Sequence, residues 1–266
     1  EIALGTESDP QIVAEYGLYD DAKVQAYVDA IGQKMAHLSH RPNLKFTFRV
    51  LDSPVINAFA LPGGFVYITR GILAHMNNEA ELAGVLGHEI AHVTQHHVAR
   101  MLQAQKQSQV ISLAGLALAI LAARANSQLA QAAFFGSQAS MVQSGLNFTR
   151  DNEREADALG MEYMVKAGYG PKGMVGLMDM LQSLSKSKPG AIELMFATHP
   201  MSDERYQTAV KTSQTKYASA QNLSLSRERY MDQTARLRAM KNTIEELQKG
   251  EQEMAGKRLG EAEVHF

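Results

Sequence analysis

His88, Glu89 and His92 have the types and spacing to do chemistry, within the run His88-Glu89-Ile90-Ala91-His92. From Glu79 to Met101 no proline occurs, and Leu82, Val85, Leu86, Ile90 and Val93 recur at three- and four-residue steps, the period of an amphipathic helix. Residues four apart share a helix face, so two imidazoles can point at one metal ion while Glu89 stands beside it as a base and not a ligand. That arrangement is suited to metal-assisted hydrolysis. A histidine-bearing core helix that matches by accident is the plainer alternative. His96 and His97 add less: His96 lies a further turn along the axis, too far to close the same coordination sphere, which suits a solvated or hydrogen-bonding role.

Two histidines leave a catalytic zinc one protein ligand short, so another element must supply the third. Glu153 opens Glu153-Arg154-Glu155-Ala156-Asp157 in a helical pattern from Asp151 to about Ala167, with Leu159, Met161, Met164 and Val165 as core positions. One face of that helix offers a ligating carboxylate, Glu153, and a second carboxylate, Asp157. Asp157 could accept the free ring N–H of His88 and fix its tautomer. Taken alone, such an acidic cluster reads as a solvated face.

These motifs resemble the gluzincin metallopeptidases that include the HtpX-like and CAAX prenyl proteases. The resemblance extends to Asn57-Ala58-Phe59-Ala60-Leu61-Pro62-Gly63-Gly64 followed by Val66-Tyr67-Ile68, to the lead-in from Glu79 to Gly87, and to Thr198-His199-Pro200 with Arg205 downstream. It spans about residues 1–205 and is similar to the soluble bacterial envelope branch that serves outer-membrane quality control. The resemblance implies an α+β fold, a mostly helical zincin metallopeptidase domain with a small mixed β-sheet. It implies one zinc ion per chain held by His88, His92 and Glu153, with Glu89 as catalytic base. His199 would lie near the zinc as an oxyanion stabiliser or as an occupant of the open coordination position, with Arg205 a second positive group there. Asn57 and Ala58 would hold the substrate backbone through main-chain hydrogen bonds, although on pattern alone they are an ordinary hairpin edge. The implied activity is endopeptidase action on unfolded or misassembled polypeptides in the periplasm or cell envelope, with outer-membrane or assembly-machinery proteins as partners. The alternative is a latent, chaperone-like binding module whose zinc site rarely turns over.

Composition is consistent with this. The chain has 266 residues, 45% of them hydrophobic, and a formal net charge of −2, enough for one sizeable core and without the basic patch that a phosphate backbone requires. Nucleic acid is therefore excluded as an expected partner. With no cysteine, disulfides and thiolate ligands are excluded, leaving His and carboxylate.

The remaining elements must position the site. Residues 9–37 read as helix broken near Gly17, a lid or brace. Lys45 to Leu51 alternates as a half-buried strand, and Ile56–Leu61 with Phe65–Leu73 forms a hairpin about Pro62-Gly63-Gly64. Val110 to Ala123 carries no charge but falls short of the roughly twenty residues of a membrane span. With residues 127–148 it reads as a core hairpin, an active-site lid or a membrane- or partner-touching element. Pro171 opens a helix to about Ser185, residues 185–190 form a polar loop, and Ser202 caps a helix to about Ala218. Residues 227–250 read as one surface helix. The expected division is 1–217 for the zincin domain and 218–266 for a helical extension, which lacks the 34-residue self-similarity of a tetratricopeptide array.

Overall fold

The computed structural model describes residues 2–106 and 150–265, and the segment expected as a lid or membrane-touching hairpin lies outside them. The fold is α+β, mostly helical, with one three-stranded mixed sheet. In chain order the elements are α1 (Ile2–Tyr16), α2 (Ala22–His37), β1 (Thr47–Leu51), β2 (Ala58–Leu61), β3 (Phe65–Thr69), α3 (Arg70–His75), α4 (Glu79–Thr94) and α5 (His97–Lys106). Then come α6 (Arg150–Lys166), α7 (Lys172–Ser187), α8 (Pro189–Thr198), α9 (Asp203–Gln214), α10 (Arg227–Gln233), α11 (Ala235–Ala239), α12 (Lys241–Ala255) and α13 (Leu259–His265). Among these, no helix is long and apolar enough to cross a membrane.

α4 is the centre of the molecule. Asn78 starts it: its side chain accepts from the N–H of Glu81, and the Glu81 carboxylate accepts in return from the Asn78 amide and the Asn77 N–H, a reciprocal cap. The apolar periodicity leads one to expect an exposed polar face, but every residue from Glu79 to Thr94 is buried, because α2, α6, α7 and β2 pack around the helix. The expected continuation to Met101 is also interrupted. Gln95 closes α4, His96 turns the chain with φ of 57°, and α5 restarts at His97. Such left-handed geometry is uncommon outside glycine, although histidine is among the residues that adopt it.

The sheet has the order β1-β3-β2, with β1 parallel and β2 antiparallel to β3. β3 ends at Thr69, earlier than expected, because the Thr69 side chain caps α3 by accepting from the Ile72 N–H. α1 is tied to the sheet: Asp9 accepts two hydrogen bonds of 2.6 Å from Arg49 on β1 and one of 2.8 Å from the Tyr67 hydroxyl on β3.

Two further differences concern the C-terminal half. The polar loop shrinks to Lys188, since Pro189 takes the first turn of α8, where its missing N–H costs nothing. The single surface helix is instead α10, α11 and α12, separated at Thr234 and Met240. Met240 is exposed, as a surface helix requires, but two of the stretch's apolar residues are not on the surface. Tyr230 and Leu237 are fully buried in the main core, the Tyr230 hydroxyl donates to the Leu73 carbonyl, and Arg229 pairs with Glu79 at the start of α4.

Candidate metal centre

α4 and α6 cross where Gly87 meets Gly160. A Cβ on Gly160 would lie 2.8 Å from the His88 nitrogen, and one on Gly87 would lie 2.8 Å from the Gly160 carbonyl oxygen, so only glycine permits this approach. It brings the face of α6 bearing Glu153 and Asp157 against the face of α4 bearing His88 and His92. His199 caps the C-terminus of α8, and this third element delivers an imidazole to the same point.

The ring atoms converge. The Nε2 atoms of His88 and His92 are 2.9 Å apart and lie 3.4 and 3.3 Å from the two Glu153 carboxylate oxygens. His199 Nδ1 is 3.3 Å from His88 Nε2 and 3.4 Å from Glu153 Oε1. Ligand atoms bonded at about 2.0–2.1 Å to a tetrahedral ion stand roughly 3.3 Å from one another. The separations of 2.9–3.4 Å therefore fit one ion of zinc's size, and all four residues are buried.

The surroundings hold these ligands in place. His88 Nδ1 lies 3.0 Å from Asp157 Oδ1, leaving Nε2 for the ion. Arg205 donates to both Asp157 oxygens at 2.7 and 2.8 Å and to the Pro200 carbonyl at 2.7 Å, and it lies 2.9 Å from Glu153 Oε2. One guanidinium thus ties α6 to the turn that follows His199. His92 Nδ1 faces His97 Nδ1 at 2.8 Å, and His97 Nε2 faces Glu155 Oε2 at 2.9 Å.

Charge balance follows from burial. Burial works to raise the Glu153 carboxyl, but His199, His88 and His92 around it hold it well below the usual carboxylate range. Burial likewise opposes charge on Asp157, and His88 and Arg205 outweigh it, so Asp157 is also lowered. Against its own desolvation, His88 is raised to about 10 by Asp157 and Glu153, whereas desolvation takes His92 down to about 3. Glu89 is raised, chiefly by desolvation. Neither of its oxygens accepts a hydrogen bond, and His199 Nε2 is 3.5 Å from Oε1. A raised carboxylate aimed at the ligand set is a competent proton acceptor.

Asn57 and Ala58 lie on the edge strand side of the sheet. The Asn57 N–H donates to the Thr69 hydroxyl and its carbonyl accepts from the Thr69 N–H, so its main chain is engaged within the sheet. Alternation in an antiparallel pair then turns the N–H and carbonyl of the buried Ala58 away from β3. A small cleft is lined by Ala60, Leu61 and Pro62 on one side and by His92, Val93 and His96 on the other.

His97 and Glu155 join the centre without a role expected of them from the sequence. The signal was faint: Glu155 sits between two singled-out residues, but His97 reaches His92 only because the helix breaks at His96. Arg205 was expected beside the reacting centre; its donors are directed at Asp157, Glu153 and Pro200.

Peptidase family M48 matches residues 22–213, which include His88, Glu89, His92, Glu153, His199 and Arg205. The chain belongs to peptidase family M48. Among M48 relatives, a putative beta-barrel assembly-enhancing protease of Vibrio cholerae serotype O1 is 35% identical over 190 residues, covering 70% of this chain and 38% of the relative. The beta-barrel assembly-enhancing protease of Escherichia coli K12 is 32% identical over 211 residues, 79% of this chain and 43% of the relative. A mitochondrial metalloendopeptidase OMA1 of Arabidopsis thaliana is 27% identical over 200 residues, 75% of this chain and 38% of the relative. The chain thus spans about two fifths of the length of these relatives.

Proposed function

We propose that this chain is a zinc-dependent endopeptidase of the bacterial envelope that hydrolyses unfolded or misassembled polypeptides. The observation that carries the reading is the convergence of His88, His92, Glu153 and His199 at the spacing of one ion, with Glu89 beside them. Membership of M48 and likeness to beta-barrel assembly-enhancing proteases support both the activity and the compartment, with outer-membrane assembly proteins as partners.

His88, His92 and Glu153 would hold one zinc ion per chain. When bound, zinc lowers the pKa of a water and polarises a carbonyl. Glu89 takes the proton of the attacking water and passes it to the leaving amine. Asp157 keeps the His88 proton on Nδ1, and Arg205 holds Asp157 and Glu153 in register. The Ala58 main chain offers its outward N–H and carbonyl to an extended substrate, a mode that tolerates many side chains. We assign residues 1–217 to the catalytic domain and 218–266 to an extension that buttresses α3 and α4 through Tyr230 and Arg229.

Catalytic zinc sites keep one position open, and His199 brings the protein ligands to four. We therefore read the resting enzyme as latent, with His199 displaced on engagement of substrate. The same observation favours a chaperone-like binding module, but a purely structural ion needs no base at Glu89. Metal analysis tests the ligand set. His88→Ala, His92→Ala and Glu153→Ala should each remove the zinc, and full occupancy in all three would end the hypothesis.

A further inference from the structure

The two histidines on α4 are supported differently. His88 donates its Nδ1–H directly to a carboxylate, Asp157, at 3.0 Å. Among the described residues His92 Nδ1 meets His97, which in turn meets Glu155. We propose that His97 and Glu155 are positioning residues for His92, a relay that fixes which nitrogen of His92 faces the ion. The proposal rests on the reading of His92 as a zinc ligand.

The tautomers follow in one chain. Ligation through Nε2 requires the His92 proton on Nδ1, where its partner is His97 Nδ1, 2.8 Å away. His97 must then accept there and carry its own proton on Nε2, which donates to Glu155 Oε2 at 2.9 Å. Each donor meets an acceptor and the chain ends on a negative charge, as ligand-supporting networks do. His97 is fully buried. The break at His96 makes this possible: in a continuous helix residues five apart do not face each other, whereas the left-handed turn at φ 57° folds α5 back so that His97 reaches His92. Glu153, Glu155 and Asp157 thereby serve the ion, His92 and His88 from a single helix.

The test is zinc affinity of the apo protein, measured by competition with a chromophoric chelator, together with the visible spectrum of the cobalt-substituted protein. His97→Ala should weaken zinc binding by about 10–100-fold and change the cobalt spectrum, since His92 is then free to turn. His97→Asn places an amide oxygen where Nδ1 stood and should recover most of the affinity. Glu155→Gln, which still accepts from His97, should lose less than Glu155→Ala. His75→Ala removes a buried histidine away from the site and should bind zinc as the wild type does. Unchanged affinity in His97→Ala would overturn the proposal. So would equal losses in His97→Ala, His97→Asn and His75→Ala, because the effect would then report packing. A wild type that binds no zinc would instead refute the metal-site reading on which the proposal stands.

Discussion

Arg205 and Asp157 form a two-pronged ion pair, at 2.7 and 2.8 Å, inside a site where neither side chain is more than about a tenth exposed. Desolvating two charges is repaid only when both are fully paired, and removing one partner of such a pair costs about 3–5 kcal/mol. Arg205→Ala should therefore lower unfolding free energy by about that amount in the zinc-free protein, read by denaturant titration. Arg205→Lys, which cannot reproduce the planar fork, should recover only part of it. Equal stability of Arg205→Ala and wild type would show that the pair does not hold α6 to the His199 turn.

The Gly87–Gly160 crossing sets how near the carboxylates come to the histidines. Gly160→Ala pushes a methyl group into the backbone of α4 and should cost about 1–3 kcal/mol, with weaker zinc binding. Gly260→Ala, where a Cβ meets nothing within 4 Å, should stay within about 0.5 kcal/mol of wild type. Calorimetric melting of both variants checks the contrast.

Acid should loosen the attachment of α10 to α4. Burial opposes charge on Glu79, but Arg229, Tyr27 and Tyr169 outweigh it and hold its carboxyl below the unfolded value of 4.5. The sign is that of a depressed acid: the stabilisation is fully present above 4.5 and is lost as pH falls through the folded value. Glu79→Gln should therefore be less stable than wild type at neutral pH, and the gap should narrow below the unfolded value. A gap that does not change with pH would mean the charge is not what holds the contact.

Latency has its own test. If His199 fills the fourth position at rest, His199→Ala opens the site and raises the initial rate on an unfolded polypeptide. If His199 instead stabilises the oxyanion, its removal lowers turnover by about a hundredfold or more. A large loss of activity with zinc retained would rule latency out.

The parts of the centre that were legible in the sequence are those a single helix determines. His88 and His92 needed only the four-residue repeat of one helical pattern, whereas Glu153 and Asp157 stand out only beside that motif, since alone their cluster reads as a solvated face. His97 was not legible, because its contact with His92 depends on one residue, His96, leaving the helical region of φ and ψ. Nor was the burial of α4 on all sides: Glu79 and Glu81 look solvent-facing until Arg229 and Asn78 are brought to them. The charge-rich stretch after Arg227 hid Tyr230 and Leu237, whose burial depends on a docking surface on α3 and α4 that local pattern cannot reveal. Pro189 did carry a legible signal for the start of α8, the preference of proline for a helix's first turn.

The central claim is that zinc on this ligand set, with Glu89 as base, cleaves peptide bonds. The most direct measurement pairs zinc analysis with cleavage of an unfolded protein such as casein by wild type and Glu89→Gln. One zinc per chain is expected in both, with turnover in the wild type alone, because Glu89 moves the proton without touching the ion. Turnover by Glu89→Gln at the wild-type rate would contradict that claim.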